Sequence, residues 1–211
     1  MLGETRRSFL RVPPADLTGE FQFKFTVGKV ATETTGSANW QIAAKVTDDS
    51  SETAFGYDTD TATNDMNWYG EILVPAATVN WGTVHPGMAF AEGSPSEKAV
   101  GVTIKYISNG AYDEKVKSSA TWAGAPSGTA TLDATGACAT ANQFALKADD
   151  TGTLPVNGLV NTTGITIDDS GTQTAEAGHA VTLNTLWLKL APTFTKATYT
   201  GTISYIIADG N

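Results

Sequence analysis

Apolar and polar residues alternate along most of this chain, and that period of two belongs to strands rather than helices. Phe21, Phe23, Phe25 and Val27 alternate with Gln22, Lys24 and Thr26. The same pattern runs through Trp40, Ile42, Ala44 and Val46, then through Val100, Val102, Ile104 and Tyr106. It returns in Tyr199, Ile203, Tyr205 and Ile207, with Gly201 between. Over residues 181–190 the apolar set slips from odd to even positions around Asn184-Thr185, a slip that a β-bulge would correct. No segment keeps an i, i+3, i+4, i+7 apolar spacing beyond one turn, so the expected helical content is close to nil.

Turn signals separate these runs at short intervals: Asp48-Asp49-Ser50, His85-Pro86-Gly87, Asp149-Asp150-Thr151-Gly152 and Asp168-Asp169-Ser170-Gly171. Ser108-Asn109-Gly110-Ala111 between Tyr106 and Val116 reads as a hairpin, because Asn-Gly tolerates the positive φ angles of a type I′ turn. Residues 48–65 and 123–142, rich in Thr, Ala, Gly and Asp, read as long loops. Short strands with regular turns predict an all-β fold: a single antiparallel β-sandwich, immunoglobulin-like or jelly-roll-like, of about ten strands. Residues 1–19 form an extended N-terminal arm and residues 20–211 the sandwich.

Composition narrows the function classes. The 211 residues carry a net charge of −9, and 17% of them are charged. Thr (33), Ala (29) and Gly (21) dominate, so the Glu, Lys and Leu of a coiled coil are scarce. An acidic body repels phosphate, which argues against nucleic acid as a partner. No run reaches the ~20 apolar residues of a membrane span. The single cysteine, Cys138, allows no intrachain disulfide.

All three arginines, Arg6, Arg7 and Arg11, lie in the first 11 residues. A basic extended arm on an acidic body suits docking onto the body of another copy. Thr5-Arg6-Arg7-Ser8-Phe9-Leu10-Arg11 is similar to a twin-arginine export motif, but Val12-Pro13-Pro14 and the polar residues after it do not form the apolar stretch that such a signal needs.

Residues suited to chemistry are few. His85 and His179 sit near turns, far in sequence from Cys138, and no nucleophile elbow, P-loop or dinucleotide fingerprint occurs. Glu71 stands in an apolar stretch as a glycosidase-like acid or, more simply, as a solvent-facing strand residue. The sequence therefore reads as a non-enzyme with no required cofactor. Asp48, Asp49, Asp58, Asp60 and Asp65 offer hard oxygen ligands of the kind Ca²⁺ takes, against the default of a solvated loop. Trp40, Trp68, Trp81, Trp122 and Trp187 are either core residues or a sugar-stacking platform, and four of them sit in strand-like runs, which favours the core. Asn161-Thr162-Thr163 is an acceptor triplet for glycosylation.

The C-terminal segment carries a family likeness. Leu186-Trp187-Leu188-Lys189-Leu190, followed by Tyr199, Ile203, Ser204, Tyr205 and Ile207, resembles the ending of WxL-type prokaryotic surface proteins, with Lys189 where the first motif has Leu. Residues 79–87, with Val102-Thr103-Ile104 and Asn109-Gly110 after them, are similar to the layout of secreted archaeal and bacterial sandwich domains, fibre and biofilm-matrix subunits among them. The resemblance implies a secreted, cell-surface or extracellular sandwich, and a cell-wall or glycan contact is a further candidate partner.

Together these features predict a structural subunit of an extracellular filament or surface layer, with other copies of itself as partner. Strand addition would polymerise it. Phe9, Leu10 and Val12, or Phe21, Phe23 and Phe25, are the candidate donated side chains, and Arg6, Arg7 and Arg11 would pair with acceptor carboxylates. The other classes are a virion component, as a tail or capsid-decoration protein, and a surface adhesin or carbohydrate-binding module.

Overall fold

A computed structural model describes residues 28–29, 31–34, 43–47, 51–57, 66–75, 78–90, 100–174 and 180–210. The fold is all-β, with twelve strands and no helix among the described residues. The N-terminal arm and residues 21–27 lie outside the described residues, and so does Trp40.

Strands β1 (Ala43–Thr47) and β2 (Thr53–Tyr57) form a separate antiparallel ribbon. The large sheet joins β3 (Gly70–Leu73), β4 (Val100–Ser108), β6 (Thr121–Ala125), β7 (Thr129–Leu132), β8 (Gln143–Asp149), β10 (Ala180–Leu190) and β11 (Thr198–Thr200). Its order is β11-β6-β7-β8-β10-β4-β3. A smaller sheet, β12-β5-β9, comprises β5 (Tyr112–Ser118), β9 (Ile165–Gly171) and β12 (Ile203–Asp209).

The two larger sheets share one core. Val102, Ile104, Phe144, Leu146, Leu186 and Leu188 of the large sheet meet Tyr112 and Val116 of the small one, with Ile203, Tyr205 and Ile207 of β12 packed against them. Each such side chain, when fully buried, contributes roughly 1.5–3 kcal/mol of transfer free energy. The alternation read from the sequence is the cause: Val102, Ile104 and Tyr106 are buried while Thr103, Lys105 and Ile107 are only partly so. This arrangement is compatible with the expected sandwich.

Four local expectations are corrected. The sheets are not wholly antiparallel, because β7 and β8 pair in parallel. The stretch expected to be one loop over residues 123–142 contains the end of β6 and all of β7, and β2 lies within residues 48–65. Thr and Ala strands that bury only a residue such as Ala130 leave no apolar alternation to read. The Asn-Gly segment is no hairpin turn. It links β4 of the large sheet to β5 of the small one, and neither Asn109 nor Gly110 has positive φ. Asn109 is instead buried and acts as a brace: its Oδ1 accepts from the Tyr69 N–H at 2.7 Å and its Nδ2 donates to the Asn67 carbonyl at 3.0 Å.

The fourth correction concerns β10. Its register runs without a break against β4 from Ala180 to Leu186 and against β8 from Thr185 to Leu190. No bulge absorbs the slip in its apolar pattern. Asn184 points inward and is fully buried, whereas Val181 and Leu183 point outward and are 60% and 59% exposed. The register irregularity occurs in β5 against β9, on either side of Glu114.

The Trp122 indole stacks near Trp81, with ring centroids 5.8 Å apart, and near Phe144 at 4.1 Å. A Cβ added at Gly201 would lie 1.8 Å from Trp122 Cδ1. The buried indole is wedged between two rings and cannot swing away. Gly201→Ala is therefore expected to cost about 1–3 kcal/mol by overpacking, read as a lower urea midpoint with an unchanged slope.

Candidate functional site

The residues with reactive side chains are scattered. Glu71 on β3 is an exposed ion-pair partner of Lys29 and accepts from the Tyr69 hydroxyl at 2.7 Å. Its hydrogen bond to Glu71, and next its interaction with the Tyr69 hydroxyl, raise the pKa of the Lys29 ammonium. Glu71 thus occupies the solvent face of its strand. His85 is exposed in the turn before Gly87, which has φ of 80°, and His179 lies outside the described residues. Cys138 is buried, burial raises its thiol pKa, and its backbone N–H donates to Asp133.

The five aspartates considered for Ca²⁺, Asp48, Asp49, Asp58, Asp60 and Asp65, lie outside the described residues. So do Arg6, Arg7, Phe9, Leu10, Arg11, Val12, Phe21, Phe23 and Phe25. Among the described residues no group of three His, Cys, Asp or Glu is placed to hold a metal, and no helix is long and apolar enough to cross a membrane. Asn161 lies in a tight turn. Its Oδ1 accepts from the Thr163 N–H at 2.9 Å, the Thr163 hydroxyl at 3.0 Å and the Gly164 N–H at 2.6 Å. Trp68, Trp81 and Trp122 pack into the core and Trp187 is fully buried, so these four form no exposed sugar-stacking row.

The outer face of the large sheet is divided into a covered half and an open half. Lys147 of β8 donates to the carbonyls of Pro155 (2.6 Å) and Val156 (2.8 Å). Lys189 of β10 donates to those of Gly136 (2.7 Å) and Ala137 (3.2 Å). The two ammonium groups also flank the Phe90 ring, at 5.5 and 6.0 Å from its centroid. These contacts fasten two loops across the sheet, and Trp187, opposite Lys147 in register, is fully buried.

Among the described residues no such cover lies over the other half. Leu73 of β3 (50% exposed), Val181 and Leu183 of β10 are exposed there, and Lys105 of β4 sits in register between Leu73 and Val181. No family model and no curated protein matches this chain.

The β1–β2 ribbon is the second exposed apolar element. Residues Ala43 to Thr47 and Thr53 to Gly56 are all exposed. Directly paired residues share a face. One face carries Lys45 and Phe55, with the ammonium 5.6 Å from the ring centroid. The opposite face carries Ala44, Val46, Ala54 and Gly56, an uncharged surface of mostly small residues. A two-stranded ribbon without a packing partner is marginal in water. Sequence reading missed this pair of surfaces. The alternation through Ala44 and Val46 marked one of them, and the apolar slip in residues 181–190 marked the other, since it placed Val181 and Leu183 on the opposite face from Leu186 and Leu188.

Proposed function

We propose that this chain is a structural subunit of an extracellular filament or cell-surface layer, assembled from copies of itself. The observation that carries the reading is the pairing of two unlike exposed apolar surfaces on one molecule. One is the small-residue face of the β1–β2 ribbon; the other is the open half of the large sheet around Leu73, Val181 and Leu183. A contact between two different patches is heterologous, and it extends without closing unless its rotation happens to complete a ring. Small side chains on the ribbon allow close approach to a second sheet. The low content of ionisable groups and the abundance of Thr support a durable surface in preference to a catalytic one. Strand donation by the N-terminal segment supplies a further contact of the same directional kind.

Electron microscopy of the purified full chain, with sedimentation to measure size, tests the proposal. Uniform fibres or sheets are expected. Val46→Lys with Ala54→Lys places two charges on the ribbon's apolar face. Because both positions are exposed, folding stability should move by no more than about 0.5 kcal/mol while assembly is lost. Deleting residues 1–14 tests strand donation separately and should leave a folded protein that no longer elongates. A wild-type chain that stays monomeric at all concentrations would overturn the reading.

A further inference from the structure

The core holds a polar pair that joins the two sheets. Glu114 of β5 is 1% exposed and Asn184 of β10 is fully buried. Asn184 Nδ2 donates to Glu114 Oε1. The remaining two atoms of the pair, Glu114 Oε2 and Asn184 Oδ1, are buried with no hydrogen-bond partner, as is the hydroxyl of Tyr205 on β12. Leaving a buried polar atom without a partner is costly, and leaving an ionised one so is costlier. If Glu114 were a carboxylate, both orphan atoms of the pair would be acceptors and neither could satisfy the other.

One proton removes both vacancies in the hydrogen-bond pattern. We propose that Glu114 is protonated in the folded protein, that its Oε2–H donates to Asn184 Oδ1, and that the resulting two-bond acid–amide pair is a pH-sensitive lock between the sheets. The proton comes from solvent as the chain folds, and no other bond is made or broken.

The surroundings favour the neutral acid. From β9, Asp168 sits opposite Glu114, and Asp150, just beyond β8, is close enough to act on it; both are acidic and disfavour a further negative charge. Asp150 itself is raised by burial and by Asp168, Asp149 and Asp169. Tyr205 on β12 and Tyr112 on β5 are held neutral by burial, with Glu114 adding to the effect in each. The partner from β10, Asn184, carries no charge. Burial is the largest cause and pushes the Glu114 carboxyl up to about 7, against the opposing pull of the Asn184 donor.

The direction of the pH effect follows. The unfolded carboxyl ionises near 4.5 and the folded one near 7, so the lock contributes fully below 4.5 and is lost as pH rises through about 7. Glu114→Gln is the informative variant, because an amide at this position reproduces both hydrogen bonds with no proton to lose. Denaturant unfolding of the full chain at pH 5 to 8.5 compares the two proteins, and other titrating groups cancel in the comparison. Near pH 5 the two should be closest in stability. Wild type should then lose ground to E114Q by up to about tenfold in the folding equilibrium for each pH unit, levelling off above 7.

Parallel stability curves, or a wild type that gains on E114Q with rising pH, would overturn the lock and point to a carboxylate held by Asn184 and Tyr205. Carboxyl ¹³C resonances of the wild type give a second measurement that needs no variant. Glu114 should keep its protonated shift at pH 5.5 and titrate near 7, and an ionised shift at pH 5.5 overturns the proposal.

Discussion

Phe144→Ala is expected to destabilise the protein by about 3–5 kcal/mol, the range for truncating a buried aromatic side chain. Phe144 is fully buried at the start of β8, its ring 4.1 Å from that of Trp122. It also sits in the short parallel β7–β8 pairing, opposite Leu132, and opposite Leu190 of β10. Removing the ring leaves a cavity that rigid neighbours on three strands cannot close. Against a typical total of 5–15 kcal/mol, a loss of this size leaves a small margin at 37 °C. Denaturant unfolding measures it through the midpoint, and a loss below about 1 kcal/mol would place Phe144 outside the shared core.

Asn109→Gly is expected to destabilise by about 2–3 kcal/mol, because two backbone groups lose their partners. The amide accepts from the Tyr69 N–H and donates to the Asn67 carbonyl, and so fastens the segment leading into β3 to the crossing between the sheets. Ala in place of Gly should behave similarly. The outcome separates two roles for the same residue. In a type I′ turn, where Asn is chosen for tolerance of positive φ, glycine would be neutral or favourable. A neutral Asn109→Gly in denaturant unfolding would restore the hairpin reading and contradict the brace.

Asn109 and Asn184 show where sequence reasoning stops. Asn-Gly between two alternating runs is a strong local signal, yet whether the second run returns beside the first or crosses to another sheet depends on partners distant in the chain. Here β5 pairs with β9 and β12, so the turn became a corner and its Asn a buried brace. In β10 the apolar slip was visible and its remedy was misjudged. A bulge is the local solution to a slip, whereas the tertiary solution kept the ladder regular. That solution buried Asn184 against Glu114 and left Val181 and Leu183 facing outward.

The sequence by itself determined that this chain is a β-protein. Alternation of period two dictates which side chains of β4 and β12 share a face, and the lack of any helical period leaves no competing fold. It also determined the inward role of Trp122 and the shared burial of Val102, Ile104 and Tyr106, because large apolar side chains in such runs have only a core to enter. The tertiary structure decided the rest. It set the strand order, the parallel β7–β8 pair, the loops fastened over half the outer face by Lys147 and Lys189, and the meeting of Glu114 with Asn184 across 70 residues of chain. Strand pairing and buried polar contacts join residues far apart in sequence, and the free energy that selects among them belongs to the whole core.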